Sequence, residues 1–174
     1  MRKDDRAMTS AIPTVILGGT GYVSGELLRL LAGHPRLEVA GVISLSRPGE
    51  PIAEVFPHLH GAYADLRFSE KRELSRWIDG ARRLAVFAAG PHGESASEID
   101  QLLAAAEPTA GEVHLVDLSA DFRFRDAEQY ARIYGVEHAA PHRLEHFVCA
   151  VPEHAVAPYP QHACHPGCFT TAVT

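Results

Sequence analysis

Two stretches carry residue types that could do chemistry. Near the carboxyl end, Cys164-His-Pro-Gly-Cys168-Phe-Thr-Thr171 sets a cysteine after Pro-Gly and before what reads as the start of a helix. A thiol there has its thiolate stabilised by unpaired N–H groups and the positive end of the helix dipole, which makes Cys168 a nucleophile. Near the amino end, the apolar run Val15 to Leu17 ends in Gly18, and apolar residues then recur at Leu27, Leu28, Leu30 and Leu31. That order is a buried strand, a glycine turn and a helix. Gly18 permits the turn and Gly21 lets backbone come close to a ligand, since neither carries a Cβ. A helix opening near Tyr22 points free N–H groups at the turn, and a pyrophosphate is the natural occupant.

The spacing Gly18-x-x-Gly21-x-x-Ser24 puts Ser where a third Gly or Ala is usual. Context supports the turn, because a second apolar run, Leu37 to Ser44, closes a strand–helix–strand unit. That second strand runs into Ser44-Leu-Ser-Arg47 with no acid before Glu50. An acid there would take ribose hydroxyls, whereas Ser46 and Arg47 suit a 2′-phosphate, so the loop favours NADP over NAD.

These motifs need a sheet to hold them, and the rest of the chain supplies one. Gly33-His-Pro35 stops the first helix, and a Pro- and Gly-rich loop runs from Ser46 to Pro57. A short strand is expected near Leu66 to Phe68, a short helix over Glu73 to Ile78, and a continuous apolar strand over Leu84 to Ala89. Helical spacing covers Ser95 to Ala106, with Ser95 or Ser97 as caps. Val113 to Leu118, Phe147 to Val151 and His162 to Cys164 read as strands, and Ala127 to Tyr134 as a helix. The alternation predicts an α/β doubly wound, mostly parallel sheet. Cys149, within a strand, and Cys164 are expected to be packing cysteines.

Composition narrows the function classes. With 174 residues and 46% hydrophobic content, the chain can bury a core. A net charge of −6 argues against a nucleic-acid partner. No apolar run approaches the roughly 20 residues of a membrane span. Residues 1–12 read as a disordered leader without the apolar stretch of a signal peptide. With no such signal, three cysteines suit a reducing cytoplasm. Cys164-x-x-x-Cys168 with His162 and His165 does not assemble a four-ligand zinc site, so no metal is expected.

An ordered set of blocks resembles one family. Gly18-Gly-Thr-Gly-Tyr22 with Glu26 to Leu31, Ser46-Arg47, Phe56-Pro-His-Leu-His-Gly61, Pro91-His-Gly93, Val116-Asp-Leu-Ser-Ala-Asp-Phe-Arg123, Ala150-Val-Pro-Glu153 and His165-Pro-Gly-Cys-Phe-Thr-Thr171 are similar to the N-terminal part of the N-acetyl-γ-glutamyl-phosphate reductases and their relatives acting on carrier-linked glutamate or aminoadipate. The resemblance implies a Rossmann-type NADP-binding domain over residues 13–167. Residues 168–174 would be the nucleophile loop and the start of a helix leading to a catalytic domain missing from this chain.

It further implies an acyl-phosphate substrate, reduced by NADPH through a thioester on Cys168, in a protein that is a homo-oligomer at full length. Nucleotide contacts fall to Gly18, Thr20, Gly21, Tyr22, Val23, Ser46, Arg47, Pro91 and His92. The family's acid/base histidine has no counterpart here, so the isolated chain is expected to bind NADP(H) weakly and not to turn over. The family loop usually has Asn where this chain has His165. Aspartate-semialdehyde-dehydrogenase-like chemistry and a non-enzymatic dinucleotide-binding module are the alternatives.

Overall fold

A computed structural model of the chain describes residues 11–154 and 157–173. Residues 1–10, most of the expected leader, lie outside the described residues. Six strands form one all-parallel sheet: β1 (Ile12–Leu17), β2 (Leu37–Ile43), β3 (Arg83–Ala88), β4 (Glu112–Asp117), β5 (Phe147–Cys149) and β6 (His162–Cys164). Their order is β2-β1-β3-β4-β6-β5. The chain winds outward from β1 in one direction to β2 and in the other to β3, so a crevice opens between β1 and β3 at their carboxyl ends.

The strand pleat sorts the core. In β1, Ile16 faces one way and packs with Leu28 and Leu31 of α1 (Tyr22–Leu31), with Val42, Ile52 and Phe56 completing that layer. Val15 and Leu17 face the other way and meet Ile99, Leu102 and Leu103 of α5 (Ser95–Ala106) and Ile78 of α4 (Leu74–Gly80). Alternate residues thus bury on opposite faces, each covered by helices, as a parallel sheet requires.

Several local readings change. The loop expected over Ser46 to Pro57 contains α2 (Ile52–Val55), because Ile52 and Phe56 are drawn into the α1 layer. A second one-turn helix, α3 (His60–Tyr63), follows. Leu66 to Phe68 forms no strand; Arg67 and Ser69 make only isolated bridges, to Pro51 and Ile43. β5 ends at Cys149 instead of Val151, since its partner β6 ends at Cys164, whose carbonyl takes the Ala150 N–H at 3.2 Å as the last bond of the ladder. Neither Ser95 nor Ser97 caps α5, whose first turn is held by a carboxylate from elsewhere, described below. Two further helices are described: α6 (Ala127–Tyr134), before β5, and α7 (Cys168–Val173), after β6.

Candidate active site

The β1–α1 turn is built on contacts that sequence spacing only hints at. Gly18 has φ +75°, and a Cβ there would lie 2.7 Å from the Gly90 nitrogen beyond β3. Its glycine is therefore demanded by the neighbouring strand end. Ser24, at the third position of the fingerprint, is buried and donates its hydroxyl to the Gly18 carbonyl at 2.8 Å. The serine ties the helix to the turn that precedes it. Gly21 differs: its backbone is extended, and a Cβ would meet nothing closer than the Gly18 oxygen at 3.9 Å. The space beside it is open. No side chain caps α1, so its first N–H groups remain for a ligand.

A groove of about 540 Å³ runs along these strand ends. Gly18, Thr20, Gly21, Ser46 and Pro91 all line it, bringing five of the nine proposed nucleotide contacts together. Two acids that the spacing did not single out, Glu94 and Glu98, line it as well. They occupy successive turns at the opening of α5, and Glu98 faces Lys71 at 3.7 Å. The other four contacts lie outside that lining. Tyr22 is 98% exposed and borders a neighbouring recess with Phe56 and His58. Val23 is exposed on α1. The Arg47 guanidinium pairs with Glu50 at 2.9 Å. His92 lays its ring against Tyr134, with centroids 5.5 Å apart.

The loop between β3 and α5 is anchored from beneath by Asp121. Its Oδ1 accepts the Gly93 N–H at 2.8 Å and the Tyr130 hydroxyl at 2.9 Å, and its Oδ2 accepts the Ala96 N–H at 2.9 Å. Asp121 is fully buried. A buried carboxylate at the first turn of a helix satisfies orphan donors and complements the dipole. The Asp121 carbonyl also meets His138 Nε2 at 2.8 Å, while His138 Nδ1 accepts the Ala140 N–H, so the ring is neutral with its proton on Nε2. Burial holds His138 below the usual histidine range and lifts Tyr130 above the usual phenol range. Nearby Asp117 has one oxygen on the Ser119 N–H, while the other has no partner among the described residues. Burial pushes its carboxyl up to about 6.

The turn before Cys168 hangs from the carboxyl ends of β4 and β6. The backbone carbonyl of Asp117, the last residue of β4, accepts the His165 N–H at 2.9 Å. Arg123 Nε donates to the His165 carbonyl at 3.0 Å. Gly167 has φ +110°, and a Cβ on it would stand 3.3 Å from the Arg123 guanidinium carbon, so glycine here admits both the turn and the cation. His165 Nδ1 accepts the Gly167 N–H at 3.0 Å. This is an acceptor role that an Asn side chain also fills in turns. Cys168 follows, exposed, as the first residue of α7. Arg123 is the functional candidate that spacing missed. Its only signal was its place at the end of the Val116 to Arg123 block.

Of the two expected packing cysteines, Cys164 is fully buried but Cys149 is exposed. Edge position explains the difference, since nothing pairs with β5 on its outer side among the described strands.

Residues 13–157 match the model of the semialdehyde dehydrogenase NAD-binding domain. The chain belongs to the semialdehyde dehydrogenase family. It is 42% identical over 159 residues to the N-acetyl-gamma-glutamyl-phosphate reductase of Azotobacter vinelandii, covering 90% of this chain and 43% of that protein. The reductase of Pseudomonas aeruginosa is 41% identical over 163 residues with the same coverage. The chain thus spans less than half the length of these relatives. Among solved structures, aspartate semialdehyde dehydrogenase from Candida albicans, crystallised with NADP, superposes with a TM-score of 0.51 at 15% identity, over 74% of this chain and 40% of that one. At that identity the likeness supports the Rossmann-type fold alone, and the semialdehyde dehydrogenase assignment rests on the family match. Among the described residues, no helix is long and apolar enough to cross a membrane.

Proposed function

We propose that this chain carries the nucleotide site and the nucleophile of an NADPH-dependent N-acetyl-γ-glutamyl-phosphate reductase, which converts an acyl phosphate to a semialdehyde through a thioester on Cys168. The observation that carries the reading is the shared edge: the groove at β1 and β3 and the Cys168 turn after β6 both lie at the carboxyl ends of one parallel sheet. Identity above 40% to reductases of that name supports the substrate class.

The residues present fit a dinucleotide. The open space at Gly21 and the uncapped start of α1 accept a pyrophosphate, with Thr20 beside it. Ser46 and Arg47 serve the 2′-phosphate, and Arg47 must give up Glu50 to do so. The nicotinamide cofactor, when bound, supplies hydride to the acyl carbon.

The Cys168 sulfur attacks that carbon, and the bond to the phosphate oxygen breaks. The Arg123 guanidinium, fixed against Gly167, offers positive charge where the departing phosphate gathers negative charge. Backbone N–H groups after Cys168 are the donors for the developing oxyanion.

Calorimetric titration with NADPH and NADH tests the nucleotide half. Tighter NADPH binding that weakens on Arg47→Glu supports the reading, and no heat with either nucleotide sinks it.

A further inference from the structure

Cys149 of β5 and Cys164 of β6 are partners in register on adjacent parallel strands. Registered residues project to the same face of a sheet, and neighbouring strands lie about 4.8 Å apart, within the roughly 4.4–6.8 Å span between the Cα atoms of a disulfide. Burial first, then the neighbouring Cys149, pushes the Cys164 thiol well above the usual cysteine range. Their surroundings are opposite. Cys149 is exposed on the sheet edge, whereas Cys164 is fully buried and donates its S–H to the Phe122 carbonyl at 2.9 Å. One sulfur is open to a small oxidant, and the other waits beneath it, protonated.

We propose that Cys149 and Cys164 form a reversible disulfide under peroxide, a modification site separate from the Cys168 nucleophile. In the first step the Cys149 thiolate attacks hydrogen peroxide. The O–O bond breaks, hydroxide leaves, and Cys149 becomes a sulfenic acid, its sulfur oxidised by two electrons. In the second, the Cys164 sulfur attacks the sulfenic sulfur. The S–O bond breaks, and the Cys164 proton leaves with the hydroxyl group as water. A thiol reductant reverses the step by exchange, attacking one sulfur of the bond and releasing the other as a thiol.

Closure takes the Cys164 hydrogen bond away from Phe122. Phe122 precedes Arg123, whose Nε holds the His165 carbonyl in the nucleophile turn. The pair therefore sits where its oxidation state reaches that turn without consuming Cys168.

The test is a peptide map of the intact chain after treatment with a few equivalents of hydrogen peroxide and blocking of free thiols with iodoacetamide. The expected result is a linked peptide joining Cys149 to Cys164, two hydrogens lighter, whatever the state of Cys168, with the link lost on adding dithiothreitol. In Cys149→Ser, the Cys164 peptide should stay free of any link. Sulfinic or sulfonic acid at Cys149 beside an unlinked Cys164 would overturn the proposal. So would a link that includes Cys168, or one between two chains. The decisive measurement is on the unaltered chain, so no outcome depends on a variant folding.

Discussion

Arg123 and His165 are joined by a single charge-assisted hydrogen bond, from Nε to the backbone carbonyl at 3.0 Å, across 42 residues of sequence. That bond fixes the turn before Cys168 from outside, and His165 Nδ1 fixes it from within through Gly167. Replacing Arg123 by Met keeps the bulk against Gly167 and removes the donor. We expect a loss of about 1.5–3 kcal/mol in urea denaturation, the range for a bond to a charged group. His165→Asn should keep the turn, and His165→Ala should lose about 1 kcal/mol. Equal midpoints for Asn and Ala would show that the ring nitrogen holds nothing.

Asp121 accepts three donors from two segments, the β3–α5 junction and α6, and all of them lose their partner in Asp121→Ala. Each unsatisfied buried group costs about 1–3 kcal/mol, so the variant should lose on the order of 3 kcal/mol or more. Asp121→Asn retains one acceptor oxygen and should fall between Ala and the parent. A midpoint for Ala within error of the parent would mean that the carboxylate does not organise the β3–α5 loop.

How far these contacts were legible beforehand depends on their range. The strand–turn–helix at Gly18 and α5 and α6 follow from periodicity and local turn chemistry, and the structure keeps α5 and α6 to the residue. The cap of α5 could not be read the same way. Serines at 95 and 97 satisfy a local rule, but the carboxylate that does the work comes from 25 residues downstream. Cys149 shows the same limit. Position within an apolar strand suggests burial, yet its exposure is set by strand order, because β5 falls at the edge once β6 inserts beside β4. Arg123 carries no periodic signature at all; only the fold sets it against Gly167.

Two glycines of the turn should answer substitution differently. Gly18→Ala puts a Cβ against the Gly90 nitrogen at a positive φ, so stability should fall by about 2 kcal/mol or more. Gly21→Ala meets open space at an ordinary φ and should leave the urea midpoint within about 1 kcal/mol. The same change fills the space assigned to a pyrophosphate, so NADPH affinity should drop by roughly tenfold or more, about 1.4 kcal/mol. If Gly21→Ala binds NADPH like the parent, the pyrophosphate is not at this turn.

Arg47 is held by Glu50 at an exposed pair, worth no more than about 1 kcal/mol. Glu50→Gln frees the guanidinium and removes a charge that opposes a 2′-phosphate. NADPH affinity should rise by a few-fold while NADH affinity stays level, and raising the salt concentration should erase the gain. A parallel change for both nucleotides would place Arg47 away from the 2′-phosphate.

Asp117 and His162 should give opposite pH dependences. Burial raises the Asp117 carboxyl from 3.8 to about 6, so the folded chain binds more protons than the unfolded one between those values. Its effect is that stability declines as pH rises through that window. His162 is buried neutral, lowered from 6.5 to about 4 by burial and then by His114, His146 and Arg143. The unfolded chain binds more protons there, so stability declines as pH falls from 6.5 towards 4, and His138, lowered by burial, adds to that sense. Shifts of about two pH units correspond to roughly 3 kcal/mol each, so the two slopes largely cancel. Asp117→Asn should expose the histidine slope, with urea midpoints rising from about pH 4 to pH 6.5. His162→Gln should expose the reverse. Two variants with the same slope would show that these groups do not titrate as their burial requires.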